Sequence, residues 1–346
     1  MSRRALRLPR AGRLYLDLFS GARMGPSESR GFSPVQIEQI RRTVRGRTPE
    51  VMVKVTGGGK KRGAVAAHFS YISQHGELEI ETDRGERVTE DDQKALLKDW
   101  HLELIAGQYR GPSGTKAFAR PVKLVHNIVL SMPSPTPADK VLAAARAFAR
   151  EKFGAKHRYA LVLHTHQHHP HVHLLVKAER EDGKGRLHIN KAMLREWRQD
   201  FAQEMRRQGI AANATPRSVR GQTKRAAKDV FYRTQARGES YALREKLDDV
   251  VHGLTRTNPI ADPARGKLLE TRKAIIQGWN AVAERLEAQG EIVLGGDVRY
   301  FAMHLPPVLT DRERLTEEFM RFIRTERSAR MRTDDRVRDH TLERTR

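Results

Sequence analysis

The chain has 346 residues, enough for about two domains of average size, each with a buried core that needs no disulfide bonds. It contains no cysteine, which excludes thiolate zinc sites and cysteine nucleophiles. An excess of 65 Lys and Arg over 42 Asp and Glu leaves a net charge of +23, which indicates a polyanionic partner such as nucleic acid. No apolar run could span a membrane and the N-terminal residues do not have the pattern of a secretory signal, so we expect a cytoplasmic protein without a membrane partner.

The first 48 residues form a basic arm, because they hold eleven arginines among scattered Gly, Ser and Pro and offer one short candidate helix. The alternation and helical periodicity that follow predict a strand that ends at a triple-glycine turn, and then two helices. The predicted ranges are helix 35–44, strand 50–56, helix 63–74 and helix 89–106.

The middle of the chain has the clearest pattern, in which strands alternate with helices and two strands follow each other directly. This order predicts an α+β fold whose antiparallel or mixed sheet has its helices packed on one side. The predicted strands are 122–130, 159–164 and 171–178, and the predicted helices are 137–153 and 190–208.

Beyond residue 212 the composition changes to a basic stretch and then to a region of helical periodicity. Helices are predicted at about 239–253, 264–289 and 311–331, with one strand at 298–305. The expected organisation is an arm at 1–48, an α+β domain at 49–212, a basic strap at 213–238 and a mostly helical region at 239–346.

Six of the fifteen histidines lie between positions 164 and 173. His171 and His173 are two apart in a predicted strand and therefore face the same way, while the turn at 165–170 returns His164 beside them. Three neutral imidazoles leave coordination positions open, which is typical of a catalytic metal. An adventitious histidine tract is the alternative, but it would not place its residues in register on two apolar strands. A supporting role is expected for the histidines of the turn: His166, His168 and His169.

This histidine segment, followed by Leu-Leu-Val, resembles the third motif of conjugative relaxases, which are HUH endonucleases that nick plasmid transfer origins. The likeness is greatest to P-type mobilisation relaxases, the group that includes the enzymes cutting the borders of tumour-inducing plasmids. It implies that His164, His171 and His173 hold a divalent metal, either Mg²⁺ or Mn²⁺. The family usually has Asp two residues after the first histidine and Asn four after the last, where this chain has His166 and Lys177.

Two further segments resemble the family's other motifs, in the family's order. His68-Phe-Ser-Tyr71-Ile-Ser-Gln-His-Gly76 resembles the first motif, which implies that Tyr71 attacks DNA. The strand that ends at Ser131 resembles the second motif, whose serine contacts DNA near the cut. Without the other motifs, Tyr71 would be interpreted as a core tyrosine of an amphipathic helix. The competing tyrosines are Tyr109, Tyr159, Tyr232 and Tyr241.

The relaxase resemblance implies a transesterification in which Tyr71 becomes joined to a 5′-phosphate and a free 3′-hydroxyl is released. An acid shortly after Tyr71 could assist proton removal, and Asp83, Glu90 and Asp91 are equal candidates. The basic strap would grip the phosphates of single-stranded DNA, the alternative being a solvated basic face. Its candidate contacts are Arg217, Arg220, Lys224, Arg225 and Lys228.

The resemblance further implies accessory transfer proteins and a type IV secretion coupling protein as partners. It leaves open whether the protein is translocated together with the DNA. A rolling-circle replication initiator of the same superfamily is the first alternative, although initiators commonly place their tyrosine after the histidines. The others are a basic DNA-binding protein with a structural metal and a metal-dependent hydrolase that uses water in place of Tyr71.

Overall fold

The structure is a computed structural model, and it describes residues 31–46, 48–89, 92–102, 122–167, 169–222, 262–321 and 323–325, together with residues 245, 248, 250 and 252. The chain divides into two compact units. One unit is Leu16–Thr215, and the other combines Met1–Tyr15 with Pro216–Arg346.

The first unit is built on a six-stranded sheet in the order β1-β4-β6-β5-β2-β3, and all its neighbouring strands are antiparallel. The α+β prediction is therefore confirmed. The two shortest strands were not predicted, because two or three residues show no readable alternation. The strands are β1 (Met52–Gly57), β2 (Ile80–Thr82), β3 (Arg87–Val88), β4 (Val125–Ser131), β5 (Tyr159–His164) and β6 (His171–Lys177).

Five helices belong to this unit, and the bounds of four of them lie within two residues of the predicted ones. The helix predicted at 89–106 is shorter in the described residues and begins at Gln93. The helices are α1 (Pro34–Val44), α2 (Arg62–Ile72), α3 (Gln93–Asp99), α4 (Ala138–Phe153) and α5 (Lys191–Arg207).

The sheet is covered by helices on both faces, so the prediction of helices on one side was wrong in this detail. Helices α4 and α5 cover one face, where Phe148 and Phe201 pack against alternate residues of β6 such as Leu174. Helices α2 and α3 pack on part of the other face, against Val162 and Leu175. The reason is that β5 and β6 are apolar on both faces, and such strands need cover on both sides.

Helix α1 is attached to the sheet domain through a buried polar network. Ser33 caps the helix in a reciprocal capping box with Gln36. Near its last turn, the Thr43 hydroxyl shares a hydrogen bond of 2.7 Å with the hydroxyl of Thr215 and accepts another from the Asn213 side-chain amide. The end of the described arm is thereby held against the segment that follows α5.

The described part of the second unit is helical. It contains α6 (Pro263–Ala288), α7 (Ile292–Met303) and a further helical stretch at 311–321. The strand predicted at 298–305 was wrong, because Leu294, Val298 and Ala302 are buried at a helical spacing of four residues. The helix predicted at 239–253 lies mostly outside the described residues, and none of the described helices could cross a membrane.

Replacing Phe148 by Ala tests the face covered by α4 and α5. Its ring is fully buried and has edge contacts with the rings of Phe153, Trp197 and Phe201. We expect the free energy of unfolding, measured by urea titration of tryptophan fluorescence, to fall by about 3–5 kcal/mol. The control Val35→Ala removes a side chain that is 74% exposed and should stay within about 0.5 kcal/mol. Similar losses for both variants would contradict the assignment of this core.

Candidate metal centre

The β5–β6 hairpin brings the three histidines of the predicted site together. Its register pairs His164 with His171 and Val162 with His173. Directly paired residues of an antiparallel sheet share a face, so all three imidazoles point the same way. One ring nitrogen of each lies within 4.8 Å of the others. That spacing allows three nitrogen ligands to meet one metal ion.

Backbone carbonyls select which ring nitrogen of each histidine is available. Nε2 of His164 lies 2.5 Å from the carbonyl oxygen of Ile72, and Nδ1 of His171 lies 3.0 Å from that of His169. A carbonyl can only accept a hydrogen bond, so each of these ring nitrogens donates. The acceptor nitrogens that remain are Nδ1 of His164 and Nε2 of His171. Such orientation of ligands by a second hydrogen bond is characteristic of histidine metal sites.

The electrostatics of the cluster favour neutral imidazoles. Burial lowers the pKa of His173 to about 3, with further lowering from the neighbouring histidines His164 and His171. Burial is also the main cause that lowers the pKa of His164 and of His171. The neutral form is the one that ligates metals. The donor set therefore fits a divalent cation, and an all-nitrogen set suits Mn²⁺ or softer ions better than Mg²⁺.

Tyr71 lies beside this cluster at the end of α2. Its side chain is 54% exposed, and its ring centroid is 6.3 Å from that of His68, which is in turn 6.4 Å from that of His173. Nε2 of His68 is buried and has no hydrogen-bond partner among the described residues, and burial lowers the pKa of His68. His68 was not predicted to be a site residue. Its position one helical turn before Tyr71 was the signal that could have placed it on the same face.

The other residues predicted around the site take different positions. Ser131 is buried on β4 and pairs directly with His171, so it shares the face of the histidines. His166 lies beside His164 with 5.1 Å between ring centroids, and its Nδ1 is 2.8 Å from the side-chain amide of Gln74. His168 lies outside the described residues. Nδ1 of His169 accepts a hydrogen bond from the backbone N–H of Ser134.

Two of the alternatives considered for the chemistry lie at the opposite end of β5. Asp83 pairs with Arg158 at 2.9 Å, and its backbone N–H donates to the carbonyl of Tyr159. Tyr159 lies five positions before His164 on the same strand, a distance of about 17 Å. Tyr159 is buried, which raises the pKa of its hydroxyl. These positions argue against Asp83 as proton acceptor and Tyr159 as nucleophile.

Several candidates cannot be placed, because they lie outside the described residues: Glu90, Asp91, Tyr109, Tyr232 and Tyr241. Of the predicted strap, Arg217 is exposed and Arg220 is half-buried in a turn of the second unit. The remaining strap residues, Lys224, Arg225 and Lys228, also lie outside the described residues.

The antiparallel α+β sheet with three imidazoles on one face agrees with the relaxase resemblance of the sequence. Residues 80–210 match the family model of the relaxases, described as MobA/VirD2-like, nuclease domain. The chain therefore carries the nuclease domain of a relaxase of the HUH superfamily, a DNA endonuclease that acts on single-stranded DNA in plasmid mobilisation. The matched range includes Ser131 and the three histidines and begins after Tyr71. No curated protein matched the chain.

The relaxase resemblance is thus confirmed at the level of the superfamily, while the P-type subgroup stays a prediction. The family is metal-dependent, in agreement with the donor set of the histidine cluster. The identity of the ion stays a prediction as well.

The lowered pKa values predict how many protons Mn²⁺ displaces on binding. Ordinary imidazoles with a pKa of about 6.5 would be mostly protonated at pH 6, and three of them would release about two protons. Because burial lowers the pKa values of His164, His171 and His173, we expect clearly fewer than two protons per ion at pH 6. Calorimetric titration in buffers of different ionisation enthalpy measures the number. A release of two protons would contradict the neutral cluster.

Proposed function

We propose that this protein nicks one DNA strand at a plasmid transfer origin by a metal-dependent transesterification onto Tyr71. One observation carries the proposal. Helix α2 presents Tyr71 to solvent and ends at Ile72, whose carbonyl accepts a hydrogen bond from the candidate ligand His164. The helix end that carries the phenol is therefore held directly against the candidate metal centre.

In the reaction we propose, the phenolic oxygen of Tyr71 attacks the phosphorus and loses its proton. The bond between phosphorus and the 3′-oxygen breaks, and that oxygen takes up a proton to become a 3′-hydroxyl. Tyr71 is left joined to the 5′-phosphate. A divalent cation held by the three histidines would supply charge neutralisation on the scissile phosphate. Attack by the 3′-hydroxyl in reverse reseals the strand, because the phosphotyrosine bond retains the energy of the diester.

The site residues beside Tyr71 have positioning roles in this proposal. Ser131 of β4 pairs with His171 of β6 and lies on the same face of the sheet. In this proposal it contacts DNA near the cut. His166 is placed between the histidine cluster and Gln74, which follows α2, so it supports the ligand His164. His168 is proposed to support the cluster from the same turn.

The proposal extends to the rest of the chain. Residues 49–212 act as the relaxase domain, and the basic strap at 213–238 grips the phosphates of the strand through its arginines and lysines. The arm at 1–48 and the region at 239–346 lie outside the catalytic domain. The protein works in the bacterial cytoplasm, with accessory transfer proteins and a type IV secretion coupling protein as partners.

Replacing Tyr71 by Phe tests the nucleophile. The substitution removes only the hydroxyl, so we expect the covalent protein–DNA adduct to disappear while affinity for single-stranded DNA stays close to that of the wild type. Denaturing gels with oligonucleotides from the protein's genetic neighbourhood and Mn²⁺ or EDTA measure the adduct. The control Tyr300→Phe alters another exposed tyrosine, on α7, and should leave the adduct intact. An adduct that persists without the Tyr71 hydroxyl would move the nucleophile elsewhere.

Replacing His173 by Ala tests the metal ligands. Losing one of three ligands should weaken Mn²⁺ binding by more than the factor of about 10–100 that substitutions around a metal site typically cost. Nicking should fall in parallel, and His171→Ala should behave alike. His188→Ala, at an exposed position of the same unit, serves as the matched control and should bind Mn²⁺ normally. Unchanged nicking by the His173 variant would rule out the proposed site.

A further inference from the structure

The register of the sheet places a lysine in line with the metal cluster. Lys54 of β1 pairs with Val129 of β4, and Val129 pairs with His173 of β6. Likewise, Met52 of β1 pairs with Ser131 of β4, and Ser131 pairs with His171 of β6. Paired residues share a face, so Lys54 lies on the face of the histidines. Its backbone is two strand spacings, or about 10 Å, from that of His173.

Helices α2 and α3 do not cover β1 on this face. On β5, the residues that share the face of the histidines are buried beneath the two helices, as at Ala160 and Val162. On β1, the residues of the same face are exposed, as at Met52 and Lys54, while Val53 on the other face is buried. The apolar cluster under α2 and α3 contains no described residue of β1. A half-face bordered by α2 and the edge strand is therefore exposed along β1, while Val129 and Ser131 of β4, which lie between β1 and the metal cluster, are buried.

The charge on this half-face has no partner within the described residues. No acidic side chain among them pairs with Lys54, although many other basic side chains of the unit have such partners, for example Arg146 with Glu81 and Lys152 with Asp200. The floor between Lys54 and the histidines is formed by Val129 and Ser131, which carry no charge. An ammonium group on a flexible stem at the edge of such a floor is suited to a phosphate group.

We propose that single-stranded DNA crosses this half-face between α2 and β1, and that Lys54 binds a backbone phosphate next to the scissile one. The inference rests on the proposed function, because it takes Tyr71 and the histidine cluster as the place of cleavage. It adds a phosphate subsite on the edge strand, and with it the direction in which the strand leaves the cluster. The separation of about 10 Å from His173 assigns Lys54 to a neighbouring phosphate and not to the one that is cut.

Affinity for DNA tests the subsite without cleavage. The full-length protein in EDTA is titrated with a fluorescein-labelled oligothymidylate at several salt concentrations. Loss of one phosphate contact should make the slope of log affinity against log salt shallower by about 0.7, which corresponds to about fivefold weaker binding in 0.1 M salt. We expect this for Lys54→Ala and normal binding for Lys54→Arg. Lys191→Ala removes an exposed lysine from α5, which covers the opposite face, and should bind normally.

A crosslinking experiment then locates the strand. Because the chain has no cysteine, Lys54→Cys introduces a single thiol for a photoreactive maleimide, and Lys191→Cys provides the matched control. The inference predicts a crosslink to oligothymidylate from position 54 in clear excess over position 191. Equal crosslinking, or a salt slope for Lys54→Ala equal to that of Lys191→Ala, would overturn it.

The two proposals fail separately in these experiments. A wild-type protein that forms no metal-dependent adduct, with crosslinking still confined to position 54, would remove the proposed chemistry and leave the DNA path standing. An adduct that depends on Tyr71, with no effect at position 54, would remove only the subsite. A normal thermal unfolding temperature for the Lys54 variants shows that lost binding is not lost folding.

Discussion

The site depends on one geometric constraint, the two-residue periodicity of the β5–β6 hairpin. His164, His171 and His173 share a face only because the register pairs His164 with His171. A slip of one residue in β6 would turn both of its histidines toward the core beneath α4 and α5 and bring Val172 and Leu174 to the open face. The apolar residues that alternate with the histidines make such a slip costly, because Val172, Leu174 and Val176 are fully buried.

The hairpin also holds the helix that carries Tyr71. The hydrogen bond from His164 to the carbonyl of Ile72 joins the last residue of α2 to the end of β5. On the sheet side of α2, Phe69 and Ile72 are fully buried, whereas Tyr71 is exposed. The same helix therefore contributes apolar cover to one half of the sheet and a phenol at its rim. Burial of the imidazoles beneath this arrangement keeps them neutral and ready to ligate a metal.

The strands of the site could be predicted from the sequence, because their alternation and their apolar content agree. The observed bounds of β5 are the predicted ones, and β6 differs by one residue. The short strands β2 and β3 could not be predicted, because they are defined by their pairing and not by a local sequence pattern. Strand β2 pairs with β5, and β3 pairs with β2. The helix α7 was read as a strand because Val298 and its apolar neighbours in a short window fit both periods.

Contacts between segments that are distant in the chain could not be predicted from the sequence either. Asp83 follows Tyr71 closely in the chain, yet its ion pair with Arg158 holds it at the far end of β5. The nearness of His68 to His173 depends on how α2 crosses the sheet, which no spacing within one motif reveals. The exposure of Lys54 is a consequence of where α2 and α3 stop, and it follows only from the complete sheet order.

The most direct test of the account is to locate the covalent bond. The tryptic peptide 63–84 contains Tyr71 as its single tyrosine, so mass spectrometry of the digested protein–DNA adduct identifies the attachment without substitution. The account predicts a 5′-phosphonucleotide on this peptide, formed with Mn²⁺ and absent with EDTA. Cut DNA with a free 5′-phosphate and no modified peptide, or a nucleotide on another peptide, would contradict it.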